Sequence, residues 1–176
     1  SKGSDRNRIG VLGFALGGAV ALMAGSNPGN FSAVVSDSSF ADYSLILKSS
    51  MSGFKRPLIL CFPGMTFMAK AMYGIDISEI SPARLIAQSD TPVLIIHGED
   101  DLLISVDHAR RLGRAIGASF DEIENGKETV WIVPDAGHME AFRAQPETYV
   151  QNVIKFFDAH LTNKAVTNEQ LKPPTH

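Results

Sequence analysis

Apolar residues along this chain form short runs that alternate with longer amphipathic segments. Four runs have the length of β-strands and are bounded by turn residues or charged residues, at positions 8–12, 31–37, 92–98 and 129–134. Three segments predict helices, at positions 16–24, 106–116 and 146–161. Strands that alternate with helices favour an α/β fold in which a parallel sheet of about four strands carries flanking helices.

Two segments depart from this alternation. Residues 45–88 form a longer insertion that carries four methionines and several Phe, Leu and Ile residues, and they predict a small helical cap. Such side chains pack a core more often than they contact a ligand, although flexible methionines over a pocket would suit acyl groups. Residues 162–176 are polar and contain two consecutive prolines, which predicts a mobile tail. Residues 1–161 are therefore expected to form one domain.

The composition excludes several classes of protein. The 176 residues are 44% hydrophobic and 20% charged, with a net charge of −3, and the cationic residues are scattered, so we expect no nucleic-acid partner. Cys61 is the single cysteine, which excludes an internal disulfide and a cysteine-rich metal site. No apolar run approaches the roughly 20 residues of a membrane helix. Without a signal-peptide pattern, we expect a cytoplasmic protein with no membrane span.

The connection between the first predicted strand and its helix carries the most informative motif. It reads G-F-A-L-G over residues 13–17. In the G-x-S-x-G turn of serine hydrolases, the glycines let strand and helix approach, and the central side chain points out at the top of the sheet. Here the central residue is Ala15, whose methyl group cannot attack a carbonyl. Taken alone, the pentapeptide also fits a glycine-rich connection without chemistry.

Two later loops contain an acid and a base. The sequence H-G-E-D-D at 97–101 follows the third strand, and D-A-G-H at 135–138 follows the fourth. Together with the turn at Ala15, these loops resemble the α/β-hydrolase family, which has a His-Gly-x-x-Asp acid loop and a Gly-His base loop in this order. The resemblance places the nucleophile position at Ala15, the acid at Asp101 and the base at His138.

Asp100 is the rival acid in the same loop. The resemblance favours Asp101, because the D-L-L-I-S run that starts there matches an acid followed by the family's x-x-Val/Ile-Pro. Ser105 stands where that pattern has proline, so the chain departs from the family pattern at this position of the loop.

The resemblance also implies a mechanism. An imidazole with a pKa of about 6.5 can take the proton of an attacking hydroxyl and return it to the leaving group, which is the role implied for His138. A carboxylate on the other ring nitrogen fixes the tautomer, which is the role of Asp101. The backbone N–H of Leu16 would donate to the oxyanion. The implied parent activity is hydrolysis of a small-molecule ester, thioester or amide through an acyl-enzyme, as in cap-bearing bacterial serine esterases and peptidase-like hydrolases.

Other polar residues receive simpler predictions. His97 is expected to shape the turn at the strand end, and His108 to lie on a helix surface. No histidine has the spacing of a metal ligand, so we expect neither a metal nor another cofactor. Asp37, at the end of the second strand, could approach the site or serve as a turn residue.

The resemblance covers only the part of a hydrolase domain from the nucleophile strand onward. The family's second oxyanion donor follows an earlier strand, and only residues 1–7 precede the first strand here. Because the chain starts at Ser1 rather than Met, this is expected not to be the native translation start. We therefore expect an incomplete α/β-hydrolase fold with an open sheet edge, which would pair in a homodimer or with an N-terminal half of the same protein.

The alanine at the nucleophile position leaves alternatives open. Retention of the acid, the base and the glycines favours a deliberate Ser-to-Ala substitution over a natural non-catalytic relative. Either way the chain is expected to be inactive, and a serine at position 15 to be necessary for activity but not sufficient. The alternative functions are a binding or regulatory protein that uses the hydrolase pocket, and an assembly fragment.

Overall fold

A computed structural model describes residues 8–50, 70–72, 80–126 and 128–161. Within these ranges, one parallel sheet has the strand order β1-β2-β3-β4. The strands are β1 (Gly10–Phe14), β2 (Ala33–Asp37), β3 (Val93–Gly98) and β4 (Val130–Val133). The helices are α1 (Leu16–Gly25), α2 (Tyr43–Ser50), α3 (Pro82–Ile86), α4 (Asp107–Ala115), α5 (Phe120–Glu124), α6 (Ala141–Ala144) and α7 (Pro146–Leu161). The predicted parallel α/β architecture is confirmed.

Strand β1 lies two residues later than the sequence predicted. Its pairing with β2 aligns Gly10 with Ala33, Gly13 with Ser36 and Phe14 with Asp37. The prediction ended the strand at Leu12, because residues 13–17 were assigned to the turn. Pairing with a neighbouring strand decides where the ladder stops, and the chain turns only at Ala15.

The sheet is covered by helices on both faces. Every residue of β2 and β3 is buried, and successive side chains point to opposite faces. One face packs Val34 and Ile95 with residues of α1, α3, α4 and α5. The other packs Val35 and Leu94 with residues of α7. Sites in such open sheets form beyond the carboxyl ends of the strands, where the loops leave the sheet.

Strand β1 stands at one end of the described sheet and pairs with β2 alone. Helix α7 packs over its start: a Cβ added at Gly10 would lie 2.5 Å from the ring of Phe157. The Arg8 side chain also donates to the carbonyl oxygen of Leu161 at 2.9 Å. On the outer side of β1, the described residues provide no further strand. Association through this edge stays a prediction.

Most of the predicted cap and all of the predicted tail lie outside the described residues. Helices α2 and α3 fall at the two ends of the insertion, and hydrogen bonds join these ends. The N–H of Tyr43 donates to the Ile80 carbonyl, and the N–H of Ala83 donates to the Ala41 carbonyl, both at 3.0 Å. The insertion therefore leaves from and returns to the loop after β2. Nowhere in the described ranges is a helix long and apolar enough to cross a membrane.

Two glycines of the G-F-A-L-G turn differ in how much space is available for a side chain. A Cβ at Gly13 would lie 2.3 Å from the carbonyl oxygen of Gly17, whereas a Cβ at Gly17 would meet no described atom within 4 Å. We expect Gly13→Ala to lower the free energy of unfolding by about 1–3 kcal/mol, because the backbones must separate. Gly17→Ala should change it by less than about 1 kcal/mol. Urea unfolding followed by circular dichroism measures both, and equal losses would contradict the close approach of β1 and α1.

Candidate active site

Ala15 adopts a backbone conformation that is unusual for any residue other than glycine. Its φ is 48° and its ψ is −117°, and such strain costs about 1–3 kcal/mol. The residue lies between the last residue of β1 and the first of α1, and its N–H donates to the Asp37 carbonyl at 2.8 Å. A sharp, strained strand-to-helix turn is the geometry that exposes a nucleophile at the top of a hydrolase sheet.

The residue after Ala15 begins helix α1. Leu16 is the first residue of this ten-residue helix, and 66% of its surface is exposed. The N–H groups of a helix's first turn have no acceptor within the helix and carry its positive dipole end. The Leu16 N–H is therefore placed where a negative oxygen formed above position 15 could accept from it.

A short hydrogen bond joins the side chains of the predicted acid and the predicted base. His138 Nδ1 lies 2.7 Å from Asp101 Oδ2. The Asp101 side chain is buried, and that of His138 is 20% exposed. Asp100, the rival acid, is exposed. The carboxylate that contacts His138 is thus the one that the motif spacing favoured.

The surroundings of Asp101 favour its ionised form. Burial raises the pKa of the carboxyl, but the hydrogen bonds that it accepts outweigh burial and lower the pKa to about 2. The donors are the imidazoles of His97 and His138 and the backbone N–H groups of Leu103 and Ile104. An ionised carboxylate only accepts, so His138 Nδ1 carries the proton and Nε2 is left as an acceptor. That tautomer can take a proton from a hydroxyl.

His97 is a buried residue whose side chain contacts the acid loop. It is fully buried, and its Nε2 lies 2.7 Å from the Ile104 carbonyl oxygen and 3.3 Å from Asp101 Oδ2. Both neighbours are acceptors, so Nε2 carries the proton. The expected role of His97 in shaping the strand-end turn agrees with these contacts. Its Nδ1 has no hydrogen-bond partner among the residues that the structure describes.

Gly98 allows the acid and base loops to touch. A Cβ at this position would lie 2.3 Å from the carbonyl oxygen of Ala136 and 2.5 Å from that of Gly137. The N–H of Asp100 also donates to the Ala136 carbonyl at 3.0 Å. Close backbone approach at the ends of β3 and β4 therefore brings Asp101 within reach of His138.

The end of β2 connects the turn at Ala15 to the base loop. Asp37 accepts from Ala15 through its carbonyl oxygen, and Ser38 Oγ accepts from the N–H of Met139 at 3.0 Å. The Asp37 carboxylate also accepts from the hydroxyl of Tyr149 at 2.9 Å. Of the two roles left open for Asp37, the structure places it beside the site. Ser38 and Tyr149 were missed, since one reads as a turn residue and the other as part of an apolar helix stripe.

Unusual backbone angles concentrate at this edge of the sheet. Among the described residues, the non-glycine residues with positive φ are Ala15, Ser38, Asp135 and Met139, with φ from 48° to 60°. Each follows a strand or lies in the base loop. Strain gathered at one edge is typical of a functional site.

The prediction for His108 was wrong. The residue lies on α4 but is buried, and its Nδ1 accepts from the N–H of Ala41 at 3.0 Å. Burial lowers the pKa of this imidazole. Helical periodicity alone did not show that this position of α4 faces the loop after β2.

The cavities of about 350–460 Å³ found among the described residues lie at the amino ends of the strands. Ser89, Thr91, Glu128 and His160 are among the residues that line them. Ala15, Asp101 and His138 are not among the residues that line these cavities. The cavities therefore lie at the opposite end of the strands from the candidate site.

Asp101 should make stability depend on pH in acid. Its pKa of about 2 lies below the ordinary 3.8, so its contribution to the free energy of unfolding is present above pH 3.8 and is lost as pH falls through 2. A shift of this size corresponds to about 2 kcal/mol. Asp101→Asn should remove this part of the acid dependence, measured by urea unfolding at pH 6 and pH 2.5. Asp100→Asn is the matched control, and an equal change in both variants would contradict the assignment.

Comparison with known families agrees with this geometry. The family model of the prolyl oligopeptidases, peptidase family S9, matches residues 2–164. The chain belongs to this family. The α/β-hydrolase resemblance inferred from the three motifs is thereby confirmed, over part of a hydrolase domain.

The curated relative and the solved structures to which the chain is similar are longer than the chain. An uncharacterized protein of Bacillus subtilis, YqkD, is 28% identical over 163 residues, which are 90% of this chain and 50% of that protein. The chain thus spans about half the length of the curated relative it matches.

Three solved structures illustrate the shared fold. The Pyrococcus furiosus esterase Pf2001 is 20% identical with a TM-score of 0.58, covering 88% of this chain and 55% of that one. The Pyrococcus horikoshii acylaminoacyl peptidase is 19% identical with a TM-score of 0.62, covering 96% and 27%. A Mycobacterium tuberculosis puromycin-hydrolyzing peptidase is 20% identical with a TM-score of 0.63, covering 89% and 22%. At these identities the likeness establishes the fold.

Proposed function

We propose that this chain carries the acid–base half of a serine hydrolase site, with Ala15 at the position of the nucleophile. The observation that carries the proposal is the buried Asp101 carboxylate at 2.7 Å from His138 Nδ1, linked through the end of β2 to the strained turn at Ala15. In this proposal His138 is the general base, Asp101 orients it, and the Leu16 N–H donates to the oxyanion. The chain as it stands forms no acyl-enzyme, because a methyl group is not a nucleophile.

The proposed chemistry is acyl transfer to a serine at position 15. Its Oγ would bond to the carbonyl carbon of the substrate while His138 Nε2 takes the hydroxyl proton. The bond to the alcohol, thiol or amine then breaks, and His138 returns the proton to that leaving group. Water attacks the resulting acyl-enzyme by the same route and releases the acid. Charge on the carbonyl oxygen is stabilised by donors such as the Leu16 N–H.

Exposed apolar side chains flank each of the three positions. Phe14 and Leu16 lie on either side of Ala15 and are 41% and 66% exposed. Leu102 follows Asp101 and is fully exposed, and Met139 follows His138 and is 47% exposed. Apolar surface around a few polar groups favours substrates with an apolar acyl or alcohol part. The esterase and peptidase names of the structural neighbours support the same bond types without identifying a substrate.

Ala15 itself favours a second function. A site that keeps the acid, the base and the strained turn but lacks the nucleophile could bind an ester or acyl compound without turning it over. This chain would then be a binding or regulatory protein that uses the hydrolase pocket.

Restoring the nucleophile distinguishes the two functions. Ala15→Ser is compared with this chain on p-nitrophenyl esters of two to eight carbons, and Ala15→Ser combined with His138→Ala is the control. Hydrolysis that needs both residue 15 and His138 supports a disabled enzyme. Continued absence of hydrolysis, together with measurable affinity for the same esters by calorimetry, supports the binding protein and contradicts the hydrolase.

We also propose that the edge of β1 pairs with another strand, and that in the purified chain this strand comes from a second copy. An apolar strand with an unpaired edge is a template for such pairing. Light scattering on the purified chain should give a mass above that of a monomer. A monodisperse monomer with an intact circular dichroism spectrum would contradict this proposal.

A further inference from the structure

The dipeptide Asp37-Ser38 contacts both halves of the proposed site. The carbonyl oxygen of Asp37 accepts from the Ala15 N–H at 2.8 Å. Ser38 Oγ accepts from the Met139 N–H at 3.0 Å, and Met139 directly follows His138. The two residues thus hold the backbone on each side of the space where a nucleophile at position 15 would meet the imidazole.

Buried hydrogen bonds fix this dipeptide in place. The Ser38 hydroxyl donates to Asp37 Oδ1, and the Tyr149 hydroxyl donates to Asp37 Oδ2, each at 2.9 Å. The Ser38 N–H donates to the Ile96 carbonyl, also at 2.9 Å. Asp37 and Ser38 are fully buried, and the ring of Tyr149 packs against Trp131. The network is therefore anchored in β3 and α7, which belong to the core of the sheet.

The hydroxyl of Ser38 joins two backbone positions that are uncommon outside glycine. Ser38 has a φ of 54° and Met139 a φ of 60°, both in the left-handed region. The single hydroxyl proton goes to Asp37, so the lone pairs of Oγ receive the Met139 N–H. Loss of the hydroxyl would leave the Met139 N–H without this acceptor and one Asp37 oxygen without this donor.

We infer that Asp37 and Ser38 are positioning residues that set the separation between position 15 and His138. Neither touches the substrate in this account; both act through the backbone of the turn and of the base loop. The inference rests on the proposed function for its catalytic meaning, but the geometry it describes exists in the chain as it stands. In enzymes, misplacing a reacting group by about 1 Å can cost about 10²-fold in rate.

The first test needs no activity. In the chain with Ala15, Ser38→Ala should speed hydrogen exchange of the Met139 amide by about tenfold or more. It should also broaden the NMR signal of the proton between His138 Nδ1 and Asp101. Ser38→Gly removes the same hydroxyl at a φ that glycine adopts freely, and it replaces the alanine variant if that variant does not fold.

Ser36→Ala is the matched control for these measurements. Ser36 is also buried at the end of β2, but its hydroxyl contacts Ser39 Oγ at 2.6 Å. This variant should leave Met139 exchange and the His138 signal unchanged. Unchanged exchange and signal in both Ser38 variants, or the same change in Ser36→Ala, would overturn the inference.

The second test adds the kinetic consequence. In the Ala15→Ser background, Ser38→Gly should lower kcat by about 10- to 100-fold with little change in KM. If the Met139 amide exchanges faster but kcat does not change, the Ser38 hydroxyl orders the base loop without positioning His138. That result would overturn the inference. If Ala15→Ser gives no turnover at all, the proposed function fails, and the exchange and NMR results still decide whether Ser38 fixes the base loop.

Discussion

Replacing Ala15 by serine is expected to raise the rate of p-nitrophenyl acetate hydrolysis by about 10³- to 10⁴-fold over the present chain. Removing the nucleophile of a well-studied protease costs about 10⁶-fold in kcat. Each oxyanion donor that is lacking costs about 10²- to 10³-fold, and the described residues supply the Leu16 N–H as the predicted donor. The serine should therefore restore part of the activity of a site with two oxyanion donors.

The sequence alone led us to expect that a serine at position 15 would not be sufficient, and the geometry of the turn changes that expectation to partial activity. The turn at position 15 already has the strained φ and ψ of 48° and −117°, so the new hydroxyl needs no rearrangement of the backbone. Stopped-flow absorbance at 400 nm, about where nitrophenolate absorbs, would record a burst if acylation is the faster step. A rate within twofold of the Ala15 chain, with the fold intact, would contradict the role of position 15.

Replacing the acid or the base should remove most of the increase in hydrolysis rate that the serine at position 15 provides. In the Ala15→Ser background, His138→Ala and Asp101→Asn should each bring hydrolysis back to within about tenfold of the Ala15 chain. Alanine removes the proton acceptor. Asparagine would turn an N–H toward His138 Nδ1, which places the imidazole proton on Nε2 and leaves no acceptor for the hydroxyl. Steady-state ester hydrolysis at pH 8 measures both variants.

The neighbouring carboxylate provides the control for this experiment. Asp100 is exposed and its side chain is absent from the contacts of His138, so Asp100→Asn should keep the activity of the Ala15→Ser variant. Equal losses at 100 and 101 would show that the loop as a whole, and not the Asp101 carboxylate, supports the base.

The sequence was sufficient to predict the parts of the candidate site that lie in local sequence motifs. The turn at 13–17 and the loops after β3 and β4 are local patterns, and each sits where a strand of a parallel sheet ends. Because all strands of such a sheet end at one edge, Asp101 and His138 could be expected to meet. The choice of Asp101 over Asp100 followed from the resemblance of residues 101–105 to the acid loop of the α/β-hydrolase family.

The remaining contacts depend on tertiary packing between residues far apart in the chain, which the hydrophobic periodicity of a single sequence does not predict. Ser38 and Met139 are separated by 101 positions, and Asp37 and Tyr149 by 112. His108 reads as an exposed helix residue, yet it is buried against the loop at Ala41. The limits of β1 likewise follow from its pairing with β2 and not from the apolar run itself.

Covalent capture of the nucleophile tests the central claim most directly. The Ala15→Ser variant and the present chain are treated with a fluorophosphonate, and the adducts are located by mass spectrometry of the intact protein and of its peptides. We expect one phosphonyl group on residue 15 of the variant, none on the present chain, and slow or no labelling when His138→Ala is added. An unlabelled variant, or a label on another residue, would contradict a hydrolase site built from position 15, Asp101 and His138.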